Sequence, residues 1–404
     1  MGEILFLAHR IPFPPDRGDK IRSWHVLKHL AGLGRVHLAC FADDEADAAH
    51  LQGLRQALGN RLGEVHVEVR RTSRPGAAAR AFATGKPLSL TLFDSPRMRR
   101  FVADRLVDPK LSAVYAFSGQ MAQYVPEGAR RRFVMDFVDM DSAKFEAYAE
   151  AGGLLAPVHA REARILSAFE RQTAERADAC LFVSEAEAAL FRARTGAANV
   201  HALANGIDSR HFSPDAAFPR LSVAERGEGP ILLFTGQMDY RPNVDAARWF
   251  AAEVLSRLPQ ARFVIAGRNP AASVKALASN RVIVTGAVRD MRSWLAAADL
   301  VVAPLQIARG IQNKVLEAMA MARPVVASPA AFEGIEAEPD RDLVVEEDAD
   351  ATVRAIEALL ASPDRARILG AAGRDLVVGR YAWDARLAPL EGLLFPAEAK
   401  REAA

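Results

Sequence analysis

The sequence predicts an α/β protein built from two parallel sheets, each covered by helices on both faces. Three observations carry this. Short apolar, β-rich runs alternate with helical stretches; the alternation stops at a polar Pro/Gly-rich segment; and it then starts again. Parallel strands buried on both faces read as continuous apolar runs, as these do. The chain of 404 residues has room for two domains. Its 50% hydrophobic and 25% charged residues exclude disordered, collagenous or coiled-coil organisation for the bulk of the chain.

In order, ILFLA (4–8) precedes a helical stretch over 19–33, and VHLACF (36–41) precedes another over 45–59. VHVEV (65–69), AVYAF (113–117), RFVMDFV (132–138) and ACLFV (179–183) continue the first array. Residues 204–229 lack periodicity and read as a linker. ILLFT (231–235), RFVIAG (262–267), RVIVTG (281–286), DLVVAPL (299–305), PVVAS (324–328) and DLVVE (342–346) form the second array, with helices such as 244–258 and 313–322 between them. The expectation is two Rossmann-like domains facing across a cleft, 1–203 and 230–380, with the last helix, 381–396, packing back on the first. Ligands of such sheets sit beyond the carboxyl ends of the strands, beside helix N-termini.

Lys+Arg number 52 and Asp+Glu 50, so no global charge draws the chain to nucleic acid. The charge is uneven, however: ten Lys/Arg face three Asp/Glu between Arg70 and Lys110, and 97–106 reads as a basic amphipathic helix. This is either a solvated face or a surface for peripheral contact with an anionic membrane. No apolar run reaches the roughly 18 residues of a membrane span. The start, MGEILFLAHR, reads as a strand rather than a signal peptide. Cys40 and Cys180 read as buried thiols of a cytoplasmic protein.

The densest chemical text is APLQIARGIQNKVLEAMAMARPVVAS (303–328). A strand ends, a loop carries Arg309 and Gly310, and a helix begins near Gln312. Glycine lets backbone N–H groups approach an anion, the helix N-terminus adds positive partial charge, and Lys314 in the first turn adds a full one. Glu317, three residues on, either pairs with Lys314 on an ordinary amphipathic helix or accepts hydrogen bonds from ribose hydroxyls. Asp136, Asp139 and Asp141 follow an apolar strand. The Asp-x-Asp pair 139/141 has the form of a Mg²⁺ or Mn²⁺ site, but a binding or proton-accepting role toward an acceptor hydroxyl, or helix N-capping, suits its position better. No metal is expected. Lys20 and Arg22, after Gly18 at a helix start, are either phosphate contacts or solvated charges. Arg268 either approaches a diphosphate or caps its strand.

Several segments together resemble retaining GT-B glycosyltransferases of the family 4 type. VLEAMAMARPVV (315–326) resembles that family's donor-binding run, ALANGIDSRHFSP (202–214) its interdomain segment, LLFTGQMDYRPNVDAARWF (232–250) its first donor-domain strand, loop and helix, and YAWDARLAPL (381–390) its closing helix. PFPPDRGDKIRSWHVLKHL (12–30) resembles the glycine loop that opens the acceptor domain. The set is most similar to the transferases of bacterial exopolysaccharide and exosortase systems. The resemblance implies a GT-B fold. It implies a donor site at Gly236, Arg241, Gly267, Arg268, Arg309, Gly310, Ile311, Gln312, Asn313, Lys314 and Glu317, with Gly286 and Val288 meeting the base through backbone atoms and Gly18 opposing from the other domain. The pattern departs from the family at Arg309, where a glutamate is usual, and at Gln237 and Pro242, where a diphosphate-clamping Arg and Lys are usual; Arg241 or Arg309 can supply the missing charge.

The implied activity is transfer of a sugar from a nucleoside diphosphate sugar to a hydroxyl of a lipid-linked or growing surface glycan. No cofactor is expected beyond that co-substrate, and cations with backbone amides neutralise the leaving diphosphate. Two other readings use the same layout: a non-hydrolysing nucleotide-sugar 2-epimerase and a non-catalytic binding subunit.

Overall fold

A computed structural model describes residues 2–71, 73–308 and 311–396. The chain divides into two compact units. The first runs to Asn205 and takes in the residues from Arg386 onward; the second is Gly206–Ala385. Residues 206–229 thus count with the second unit.

In the first unit, seven strands form one parallel sheet: β1 (Glu3–Ala8), β2 (Val36–Ala42), β3 (Leu62–Val69), β4 (Leu111–Phe117), β5 (Arg132–Val138), β6 (Ala179–Phe182) and β7 (Val200–Ala202), in the order β3-β2-β1-β4-β5-β6-β7. Ile4 pairs with Val36 on one side and Ala113 on the other, so β1 is central and its apolar residues are buried on both faces. Met98 and Val102 of the helix Pro96–Leu106 pack on one face of the sheet with Phe41, and the Phe137–Phe182–Phe191 cluster fills the other end. Near the C-terminus, Arg132 Nε donates to the Leu393 carbonyl at 2.9 Å, fixing the last helix to the edge of β5.

The second unit holds β8 (Ile231–Thr235), β9 (Arg262–Ala266), β10 (Val282–Gly286), β11 (Leu300–Ala303), β12 (Val325–Ala327) and β13 (Val344–Val345), all parallel, in the order β10-β9-β8-β11-β12-β13. Leu233, Val264 and Val301 lie side by side in the core, covered by Phe250 and by Leu316 and Met319 of the helix Asn313–Ala320.

Both orders reverse direction once, between β1 and β4 and between β8 and β11. At such a point the connections leave to opposite sides and open a crevice beyond the carboxyl ends of the strands. This places the segments that follow β8 and β11 at the mouth of the second unit's crevice, and those that follow β1 and β4 at the mouth of the first. Cys40 and Cys180 are buried, and burial pushes both thiols well above their ordinary range, Cys180 to about 12.

Candidate functional site

Beyond β8 the chain turns at Gly236 (φ 155°), and beyond β9 at Gly267 (φ 156°). The two glycines touch: a Cβ on Gly267 would lie 1.6 Å from the Gly236 carbonyl oxygen. Both adopt backbone conformations that other residues avoid, so two turns are nested where side chains would collide. Backbone bonds lock them. Gly236 N donates to the Ala266 carbonyl, Gly267 N to the Gly286 carbonyl, and Met238 N to the Arg268 carbonyl.

Lys314 reaches this point from across the crevice. Its helix, Asn313–Ala320, buries Val315, Leu316, Ala318 and Met319, which directs the first turn toward the ends of β8 and β11. The ammonium donates to Asn243 Oδ1 at 2.5 Å and lies 4.7 Å from the centre of the Phe234 ring. Asn243 is 5% exposed and its amide donates to the Gln237 carbonyl at 2.9 Å. Among the described residues Lys314 has no carboxylate within ion-pair distance. Burial lowers its pKa to about 8, against the opposing pull of Glu317. Burial in turn raises Glu317 to about 7, against the pull of Lys314. A Cβ on Gly236 would stand 3.0 Å from Lys314 Nζ and 2.8 Å from Asn243 Nδ2. The missing side chain therefore leaves the ammonium accessible from the turn. A poorly solvated cation, a bare backbone turn and a helix N-terminus converge in one place, which is the electrostatic requirement for holding a pyrophosphate.

Of the other residues expected here, Gly286 turns at φ 66° as the last residue of β10, with Val288 half-buried two residues on, and Ile311 and Gln312 lead into the Lys314 helix, Gln312 as its N-cap and Asn313 exposed as its first residue. Arg309 and Gly310 lie outside the described residues. Arg268 is exposed. Arg241 is the first residue of the helix Arg241–Trp249, 92% exposed, with Nε 3.6 Å from Asp245 of the next turn. Asn243 and Phe234 were not singled out from sequence. The available signal was an Asn in the first turn of a helix that follows a Gly loop.

The first-unit expectations need correction. Asp136 is fully buried and cannot meet an acceptor. Its carboxylate pairs with Arg22 (3.1 Å), accepts from the Tyr115 hydroxyl (2.7 Å) and accepts from Val138 N (3.2 Å). The same ion pair removes Arg22 from any phosphate, and Lys20, 3% exposed, is bound to Asp47 at 2.5 Å. Gly18 opens the helix Gly18–Leu33 with nothing near its missing Cβ. Asp139 is exposed, while Asp141 is half-buried with its pKa raised by burial. Neither caps the helix Asp141–Glu150. Its first amides are met from elsewhere, Met140 N by Glu187 (2.8 Å) and Ser142 N by Glu170 (3.0 Å). Among the described residues, no three His, Cys, Asp or Glu gather as a metal-holding group.

The two parallel-sheet domains have the GT-B architecture, and residues 229–362, containing the Lys314 site, match the family model described as Glycosyl transferases group 1. The matched residues all lie within the second unit. Over 251 residues the chain is 28% identical to the GDP-mannose-dependent alpha-(1-6)-phosphatidylinositol monomannoside mannosyltransferase of Mycobacterium tuberculosis, covering 57% of this chain and 65% of the relative. It is 33% identical over 216 residues to the alpha-maltose-1-phosphate synthase of Mycolicibacterium smegmatis, covering 46% of this chain and 53% of that one. The chain thus spans less than two thirds of these relatives' length. The crystal structure of Anabaena HepE in complex with UDP superposes with a TM-score of 0.61 at 16% identity, covering 97% of this chain and 99% of that chain, a likeness of fold.

Proposed function

We propose that the protein is a glycosyltransferase that binds a nucleoside diphosphate sugar at the crevice of its second unit and moves the sugar to a hydroxyl of a lipid-linked or surface glycan, with retention of anomeric configuration. The observation that carries this reading is Lys314: a half-buried ammonium held by the neutral Asn243 and open toward Gly236. The group 1 match over the same residues and the mannosyltransferase and maltose-1-phosphate synthase names of the relatives support it.

When the anomeric C–O bond breaks, negative charge grows on the leaving diphosphate. Lys314 is placed to neutralise it, and because the ammonium is already oriented and desolvated, little reorganisation is needed as the charge develops. The amides at the start of the Lys314 helix add partial positive charge. Glu317, as a carboxylate, would accept the ribose hydroxyls, and the backbone at Gly286 and Val288 would meet the base. With Asp136 sequestered, Asp139 and Asp141 are the first-unit carboxylates left to orient the acceptor hydroxyl.

The test is a thermal-shift panel of UDP-, GDP- and ADP-sugars on the intact chain, followed by NMR of the stabilising donor with and without glycan acceptor. A donor that raises Tm and is consumed only with acceptor, giving the retained anomer, supports the reading. Epimerisation of the donor alone, or no stabilisation by any nucleotide, overturns it.

A further inference from the structure

The first unit carries a cavity of about 660 Å³ beyond the carboxyl ends of β2 and β3. Four arginines line it, Arg70, Arg71, Arg80 and Arg97. Two eleven-residue helices begin at its wall, Arg74–Thr84 behind Ser73 and Pro96–Leu106 behind Ser95, so both direct their positive ends at the same space.

Three carboxylates, Glu45, Glu68 and Asp94, share the lining, so the four guanidinium groups leave one positive charge in excess. Glu68 already accepts the Ser95 hydroxyl at 2.6 Å. Asp94 is held closely by Arg99, leaving Arg80 at 3.9 Å. Glu45 and Arg71 form an open pair at 3.5 Å with both side chains mostly in solvent. Asp43, which bonds Arg70 at 3.0 Å, is shared with Arg10 and Arg17. Among the described residues Arg97 has no ion-pair partner. Arg70 is fixed from below by the Phe93 ring, 5.1 Å from its guanidinium carbon. The result is a rigid cation at the back, two adjustable ones at the rim, and a volume within the range of about 300–1,000 Å³ that small-molecule sites occupy.

We propose that this cavity binds a phosphorylated ligand, with Arg80 and Arg97 taking the phosphate oxygens in the bidentate manner of guanidinium groups and Arg70 supplying the fixed charge behind them. The ligand is a phosphate ester or diphosphate, either free in solution or exposed as a lipid headgroup. The site stands independently of the transferase reading, because it uses none of the second unit's residues.

The experiment uses the full chain carrying Lys314→Ala, which removes the ammonium of the donor site, compared with the same chain carrying also Arg80→Ala and Arg97→Ala. Arg80 is 57% exposed and Arg97 is exposed, so the fold should persist; circular dichroism and Tm check this, and a companion Arg80→Lys/Arg97→Lys variant keeps the charge while losing the fork. Binding of pyrophosphate and of glycerol 3-phosphate is measured by calorimetry, and sedimentation is measured with phosphatidylglycerol/phosphatidylcholine vesicles against pure phosphatidylcholine. A loss of about tenfold or more in affinity for a soluble phosphate in the alanine pair, with the lysine pair intermediate, assigns the cavity to free or terminal phosphate groups. Vesicle binding lost in the alanine pair, with no soluble phosphate bound, assigns it to a lipid headgroup. Both assays unchanged within twofold in the alanine pair would overturn the site.

Discussion

Arg22 and Asp136 meet at 3.1 Å inside the first unit with side chains 2% and 0% exposed. Arg22 also donates to the Leu203 carbonyl and to Asn205 Oδ1, so this one guanidinium ties the helix after the first loop to β5 and to the last residues before the second unit. Burial alone would lower the Arg22 pKa; the adjoining carboxylate more than reverses this, while burial, together with the same carboxylate, drives the Tyr115 hydroxyl well up. Replacing Asp136 by Asn leaves a buried cation without its counter-charge. Such losses cost about 3–5 kcal/mol. Urea denaturation of Asp136→Asn should show a loss of this size, whereas exposed Asp139→Asn should stay within about 0.5 kcal/mol. A stable Asp136→Asn protein that had lost only turnover would return this residue to the acceptor site.

Lys314→Ala should weaken nucleoside diphosphate binding strongly while leaving the second unit folded. Hydrogen bonds to charged groups contribute about 1.5–3 kcal/mol, or roughly 10- to 150-fold in Kd. Gly236→Ala should produce a comparable loss by a different route, since its methyl group would press on Asn243 and on the ammonium from a backbone conformation alanine avoids. Titrating UDP into both variants checks this, and Arg241→Ala, far out in solvent, is the contrast expected to change affinity less than twofold.

Donor binding should be bell-shaped in pH. Holding the diphosphate requires protonated Lys314, so affinity falls as pH rises through about 8; accepting ribose hydroxyls requires ionised Glu317, so affinity also falls as pH drops through about 7. Calorimetric Kd values for UDP between pH 5.5 and 9.5 should therefore peak between these limits. Glu317→Gln should abolish the acid limb. It should also move the alkaline limb to lower pH, because the Glu317 charge is what supports protonation of Lys314.

Much of this was legible in the sequence where one local rule decides the outcome. Apolar runs such as ILLFT fix strands buried on both faces, and the Gly-rich segments after them fall at the crevice. Lys314 was visible because helix position alone puts it in the first turn. What escaped was pairing at long range. Arg22 and Asp136 are 114 residues apart and Lys314 and Asn243 are 71 apart, and nothing local distinguishes a charge that turns inward to such a partner from one that faces a ligand. Asp136 therefore reads as an acceptor contact, and Lys20 as a phosphate contact or a solvated charge, where each has an inward partner. The start of the helix Asp141–Glu150 shows the same limit, because its caps come from Glu170 and Glu187 rather than from its own aspartates.

Glu170 is a buried carboxyl of the first unit. It is 3% exposed, accepts from Ser142 N at 3.0 Å and from the Ser142 hydroxyl at 2.5 Å, and burial pushes its pKa up to about 7 despite both bonds. A carboxyl whose folded pKa is raised favours its neutral form in the native state. Its contribution is therefore greatest below its unfolded pKa of about 4.3 and declines as pH rises to about 7, after which it is flat. Glu170→Gln removes the ionisation and keeps an acceptor for the Ser142 amide. The variant should lie close to the wild type near pH 4.5 and gain about 3 kcal/mol on it by pH 8, on the scale of 1.36 kcal/mol per pKa step. Because Glu317 bends the wild-type curve in the same direction, the informative quantity is the difference between the two proteins at each pH, measured by urea denaturation. A difference that does not grow between pH 4.5 and 7 would mean that Glu170 ionises freely and that its bond to Ser142 outweighs the cost of burying the charge.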